Sequence, residues 1–122
     1  MTMRRHLVSL ALLAGALWPS AALAHAFLDH AEPAVGSTVA VAPAELQLFF
    51  TQELEPAFSG VTLSGGDGQA IATGAASIDP QNRAEMVLTL PALAPGHYQV
   101  SWHAVSVDTH RTEGTFSFDI QP

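Results

Sequence analysis

The sequence predicts an all-β fold, a Greek-key sandwich of about seven strands, and three observations predict it. After residue 24 nothing carries the 3.6-residue periodicity of a long amphipathic helix. Short apolar or alternating runs recur in its place. Gly, Pro, Asn and Asp punctuate them at roughly 8–12-residue spacing, the pattern of a Greek-key sandwich.

Ala26 to His30 is the first strand candidate, ended by Pro33 and the Val35-Gly36-Ser37 turn. Glu45 to Phe50 begins as an alternation and ends apolar. Val61 to Ser64 is closed by Gly65-Gly66-Asp67-Gly68, a strong turn signal because glycine reaches positive φ without steric cost. Met86 to Leu90 runs up to Pro91. Pro95-Gly96 reads as a turn that takes in His97 and opens the run to Val105. In that run Tyr98, Val100, Trp102 and Ala104 share one face, and His97, Gln99, Ser101 and His103 the other. The last strand is Thr115 to Ile120, with Phe116, Phe118 and Ile120 on one face. Trp102, Phe116 and Phe118 are assigned to the core. Pro33, Pro43 and Pro56 fit edges and turns better than linkers, so the mature region is one domain.

Residues 1–24 have the three-part layout of a secretory signal. Arg4 and Arg5 supply the positive start, and Leu7 to Trp18 is an apolar run broken only by Ser9 and Gly15. Ala22-Leu23-Ala24 is a small-x-small cleavage site, so the mature chain is expected to begin at His25. The run is shorter than the roughly 20 residues of a comfortable membrane span, and no stable membrane insertion is expected after cleavage. The domain then occupies residues 25–122.

All eleven acids lie after Ala24, against only Arg83 and Arg111, for a mature net charge of −9 with histidines neutral. Such a surface repels nucleic acid and anionic lipid and attracts cations. The chain has no Cys, so the small domain rests on its hydrophobic core without disulfides. A soft-metal site would need methionine, and the mature region has only Met86.

Two places carry metal chemistry. An N-terminal His offers an imidazole and, after cleavage, a free α-amine. The amine's ordinary pKa is about 7.7–8.0, low enough for a metal of moderate affinity to displace its proton near neutral pH. Asp108 and His110 are two apart, so on an extended segment both side chains leave the same face, within reach of one ion. Taken singly, each has a plain explanation: a histidine left by the peptidase, and a surface-loop carboxylate beside a histidine. If they meet, three nitrogens and one oxygen suit Cu(II), with Zn(II) the competitor.

The stretch Tyr98-Gln99-Val100-Ser101-Trp102-His103-Ala104-Val105-Ser106-Val107-Asp108-Thr109-His110, followed by Gly114-Thr115-Phe116-Ser117-Phe118, resembles the C-terminal signature of the CopC family of periplasmic copper-binding proteins. His25-Ala26-Phe27-Leu28 through Pro33-Ala34-Val35-Gly36-Ser37 resembles that family's opening, and Phe50-Thr51-Gln52 with Phe58-Ser59-Gly60 its middle motif. The resemblance implies an Ig-like or cupredoxin-like β-barrel, periplasmic location, and a role in copper homeostasis, resistance or transport. It implies copper as the ligand, an inner-membrane CopD-like transporter as partner, and no enzymatic activity. Its Cu(II) ligands map onto the His25 amine and imidazole, Asp108 and His110. Some family members bind Cu(I) in a methionine-rich loop; residues 64–77 here hold no Met or His, which implies a Cu(II)-only member. Where some members carry Glu, this chain has Gln52, and Glu53 and Glu55 are the neighbouring carboxylates.

The other histidines have blander readings. His30 lies five residues from His25, so on a straight strand the two face opposite sides. His103 is expected to be solvated, opposite Trp102. Both are weaker ligand candidates than His110. Ser106, Thr109 and Glu113 could orient the imidazoles, and the sequence does not choose among them. Two other functions compete: a small copper-dependent oxidase or mono-oxygenase, and a metal-free Ig-like binding module.

Overall fold

The computed structural model describes residues 25–122; the leader expected at residues 1–24 lies outside the described residues. The described chain forms nine strands in two sheets, more than the seven or so expected. In order they are β1 (Leu28–Glu32), β2 (Thr38–Val39), β3 (Glu45–Phe50), β4 (Gly60–Gly65), β5 (Ala70–Ile71), β6 (Ser77–Asp79), β7 (Asn82–Thr89), β8 (Gly96–Val105) and β9 (Arg111–Ile120). A single 3₁₀ turn, Pro56–Phe58, precedes β4, with proline at its start where no amide is needed. One sheet has the order β1-β3-β7-β6 and the other β2-β9-β8-β4-β5.

The alternation seen in the sequence decides which side chains meet. Leu46, Leu48 and Phe50 of β3 are buried, as are Met86 and Leu88 of β7. From the other sheet Val61 and Leu63, then Tyr98, Val100, Trp102 and Ala104, and finally Phe116, Phe118 and Ile120 close the core against them. Phe50 and Trp102 meet across the sheets edge to face, ring centres 5.2 Å apart, a favourable geometry for two π quadrupoles. The expected core aromatics are all buried.

Three expectations need correction. The first strand starts two residues later than read, because Phe27 sits beside Thr51 as part of the entry to β1. The last strand starts at Arg111, four residues earlier than Thr115; its polar start is held by ladder pairing with β8 down to Val105↔Arg111. His97 is not a turn residue. It lies on β8 opposite Asp119 of β9, its Nδ1 2.6 Å from Asp119 Oδ1.

The hairpin β8–β9 positions the functional end. Its connection, residues 106–110, emerges where the 53–55 segment runs alongside, with Leu54 bridged to Ser106. The Val107 amide donates to the Glu53 carbonyl (3.2 Å) and the Glu55 amide to the Val105 carbonyl (2.8 Å). Residues 25–27 enter the sandwich at this same end.

Candidate metal centre

The β8–β9 connection turns back sharply. The His110 carbonyl accepts from the Ser106 amide at 3.0 Å, and the Thr109 amide donates to the Ser106 carbonyl at 2.8 Å. Thr109 sits at φ 76°, a left-handed conformation that a β-branched residue rarely adopts. Its hydroxyl donates to the Asp108 carbonyl at 2.5 Å. The segment is thus a turn and not the extended strand on which the Asp108–His110 pairing was argued. The turn still brings the two side chains together, with His110 Nδ1 3.1 Å from Asp108 Oδ2.

Ser106 is buried, and its hydroxyl donates to the other carboxylate oxygen, Asp108 Oδ1. That hydrogen bond, reinforced by His110, holds the Asp108 carboxyl below the ordinary carboxylate range against the opposing effect of desolvation. Of the three orienting residues considered from sequence, Ser106 reaches a donor side chain. Thr109 contacts only backbone in this turn, and Glu113 stands on β9 with its carboxylate 3.6 Å from Arg111.

His25 meets this pair. Its ring centre lies 4.5 Å from that of His110, the planes inclined at 56°. Phe27 flanks it at 5.8 Å. Two threonines hold the segment that presents His25. Thr51, just past β3, accepts from the Phe27 amide at 3.0 Å and donates to the His25 carbonyl at 3.3 Å through its hydroxyl. Its amide also donates to the Phe27 carbonyl at 2.9 Å. Thr112 of β9 donates to the Ala26 carbonyl at 2.5 Å. Ala26 between them is fully buried. Neither threonine was singled out from sequence. Thr112 was legible in principle, since it stands two residues beyond His110 and so leaves an extended chain on the same side.

The remaining histidines lie elsewhere. His30 is bonded to Asp29 (2.7 Å) and stacked on Phe49, ring centres 4.3 Å apart, on the outer face of the first sheet. His103 is half-buried rather than solvated, because its ring packs over Gly60 of the neighbouring strand; a Cβ there would lie 2.8 Å from the imidazole. Gln52 and Glu53 are exposed, and Glu53 joins the turn through its backbone carbonyl.

Among the described residues no three His, Asp or Glu side chains are already gathered as a metal-binding set. The arrangement is a bonded Asp108–His110 pair with the His25 ring against it. Met86 is fully buried in the core, and Cys is absent, so among the described residues no thiolate or thioether faces this end. The donors present are imidazole nitrogen and carboxylate oxygen, a set that suits a borderline divalent ion.

Residues 28–121 match the CopC domain family. The chain is 36% identical over 114 residues to Protein YobA of Escherichia coli strain K12, a match covering 93% of this chain and 92% of that one. It is 38% identical over 115 residues to copper resistance protein C of Pseudomonas syringae pv. tomato, covering 88% and 90%. Among solved structures, CopC from Methylosinus trichosporium OB3b aligns with a TM-score of 0.76 at 33% identity, over 80% of this chain and 95% of that one. With the family match spanning the two-sheet sandwich from β1 to β9, the chain belongs to the CopC family of copper resistance and transport proteins.

Proposed function

We propose that this protein is exported, cleaved after Ala24, and acts in the periplasm as a Cu(II) carrier or buffer. Cu(II) is its cargo, held by the amine and imidazole of His25, the Asp108 carboxylate and the His110 imidazole. The observation that carries this reading is the 4.5 Å approach of the His25 ring to a His110 already paired with Asp108. His25 and His110, 85 positions apart in sequence, thereby stand ring against ring.

Binding is the exchange of protons for the ion. Any proton on a nitrogen that takes the ion leaves, the amine giving up one of its own, and the exposed rings rotate toward a common centre. Ser106 keeps Asp108 ionised and oriented. The nitrogen-rich set favours Cu(II) over Cu(I), consistent with a buried Met86 and no other methionine after residue 24. Release follows from the same exchange, so acid weakens binding. The proposed role is binding and transfer, with a CopD-like membrane protein the proposed partner.

The test uses the full gene, expressed with its leader, and the processed chain. Cu(II) titration should show one tight site with a type 2 electron paramagnetic resonance spectrum split by nitrogen. Asp108→Ala or His110→Ala should weaken it by about 100-fold or more. Unchanged affinity in both variants would overturn the ligand assignment. Copper- and ascorbate-driven peroxide turnover by the wild type would favour an enzyme instead.

A further inference from the structure

We infer that Thr51 and Thr112 form a two-sided clamp that positions His25 for the metal, and that the site depends on this grip as well as on its ligands. The inference rests on the copper reading above. Its observations are separate from the ligands themselves.

The first three described residues have little means of their own to stay in place. His25, Ala26 and Phe27 precede β1 and have no ladder partner as strand residues. A free chain end ordinarily frays unless tied down. Here it is tied on both sides. Thr51 lies just past the end of β3 of the first sheet, and Thr112 near the start of β9 in the second. The segment therefore threads between the two sheets, with a hydroxyl from each. The Thr51 hydroxyl acts as acceptor to Phe27 and donor to His25, while the Thr112 hydroxyl takes the carbonyl between them.

Three consecutive residues are thereby fixed by side-chain hydroxyls. The fully buried methyl of Ala26 prevents the segment from sliding or rotating. Thr112 is also two residues from His110, so the short stretch from the turn into β9 carries both the second imidazole and the seat of the first. These bonds engage the carbonyls of residues 25 and 26 and the amide of residue 27, leaving the imidazole of His25 to turn toward His110. Both threonines are positioning residues, since they act on the ion only through His25.

The experiment compares the processed chain with Thr51→Val, Thr112→Val and the corresponding Thr→Ser variants. Valine keeps the shape and removes the hydroxyl, whereas serine restores it. Each valine variant should keep a cooperative thermal transition and bind Cu(II) about 3- to 10-fold more weakly, the double variant more so, with serine recovering the loss. The paramagnetic spectrum should shift toward fewer coordinated nitrogens in the valine variants alone. Amide exchange supplies a metal-free measurement: Phe27 should be protected in the wild type and exposed in Thr51→Val. Wild-type binding with unchanged affinity and spectrum in both valine variants overturns the clamp while leaving the copper reading intact. A freely exchanging Phe27 amide in the folded wild type overturns it as well. A wild type that protects Phe27 but takes up no Cu(II) overturns the copper reading, and with it the clamp's purpose.

Discussion

At the residue scale, Ser106 shows how a buried neutral group can tune an exposed charged one. Its hydroxyl reaches Asp108, and that bond is the main reason the carboxyl stays below its ordinary range. A carboxyl with a lowered folded value contributes stability above its unfolded value, and the contribution is lost as pH falls through the folded value. Ser106→Ala removes the donor, so the Asp108 titration, followed by carbon NMR on the metal-free protein, should move up toward the ordinary carboxylate range. No movement would mean that His110 alone sets the charge of Asp108. Thr109 is the other unusual residue, since its left-handed backbone lies between the two proposed ligands. The sequence offered the Asp-x-His spacing but not this turn, because the spacing is compatible with both a strand and a reversal.

At the scale of elements, the long alternating strands were legible and the short ones were not. Glu45–Phe50 was read with its observed limits, and the inward face of β8 was assigned correctly from Tyr98 to Ala104, since burial on one side forces a period of two. The strands β2, β5 and β6 have two or three residues each, too few to show a period. Arg111–Gly114 reads as loop by composition, yet its pairing with β8 makes it strand. Gly114 has a packing reason to be there. It lies opposite Trp102, and an added Cβ would stand 2.7 Å from the indole. Gly114→Ala should therefore destabilise the protein by about 1–3 kcal/mol, read as a lower denaturation midpoint with unchanged slope. Gly60→Ala meets the half-exposed His103 ring, which can swing aside, and should cost less.

At the scale of the whole molecule, an acidic domain without disulfides must tolerate the repulsion of its own charges. The outer face of the first sheet shows where this is felt. Glu85 is nearly buried, and its burial, then its hydrogen bond to Asp79 and the charge there, push its carboxyl above the ordinary range; Gln47 pulls the other way. Asp79 is lowered, chiefly by the Gln81 amide and then by Glu85, so a proton between the two carboxyls belongs to Glu85. A raised carboxyl contributes stability below its unfolded value of about 4.3, and loses it as pH rises through the folded value. Glu85→Gln donates to Asp79 at every pH. It should make the melting temperature fall less steeply as pH rises above the ordinary carboxylate range. An unchanged pH profile would contradict the shared proton.

The proposed export and the proposed copper site meet at the same whole-molecule scale. The sequence marked His25 as the mature start and named Asp108 and His110, but their meeting depends on topology: the β8–β9 turn and the entry to β1 share one end of the sandwich. Cleavage after Ala24 is proposed to complete the site by freeing the His25 amine. The most direct test is Cu(II) affinity of the processed chain beside a form carrying one extra residue before His25. The account predicts a loss of about 100-fold or more in the extended form, with fewer nitrogens in its paramagnetic spectrum. Equal affinity and identical spectra in the two forms would contradict it.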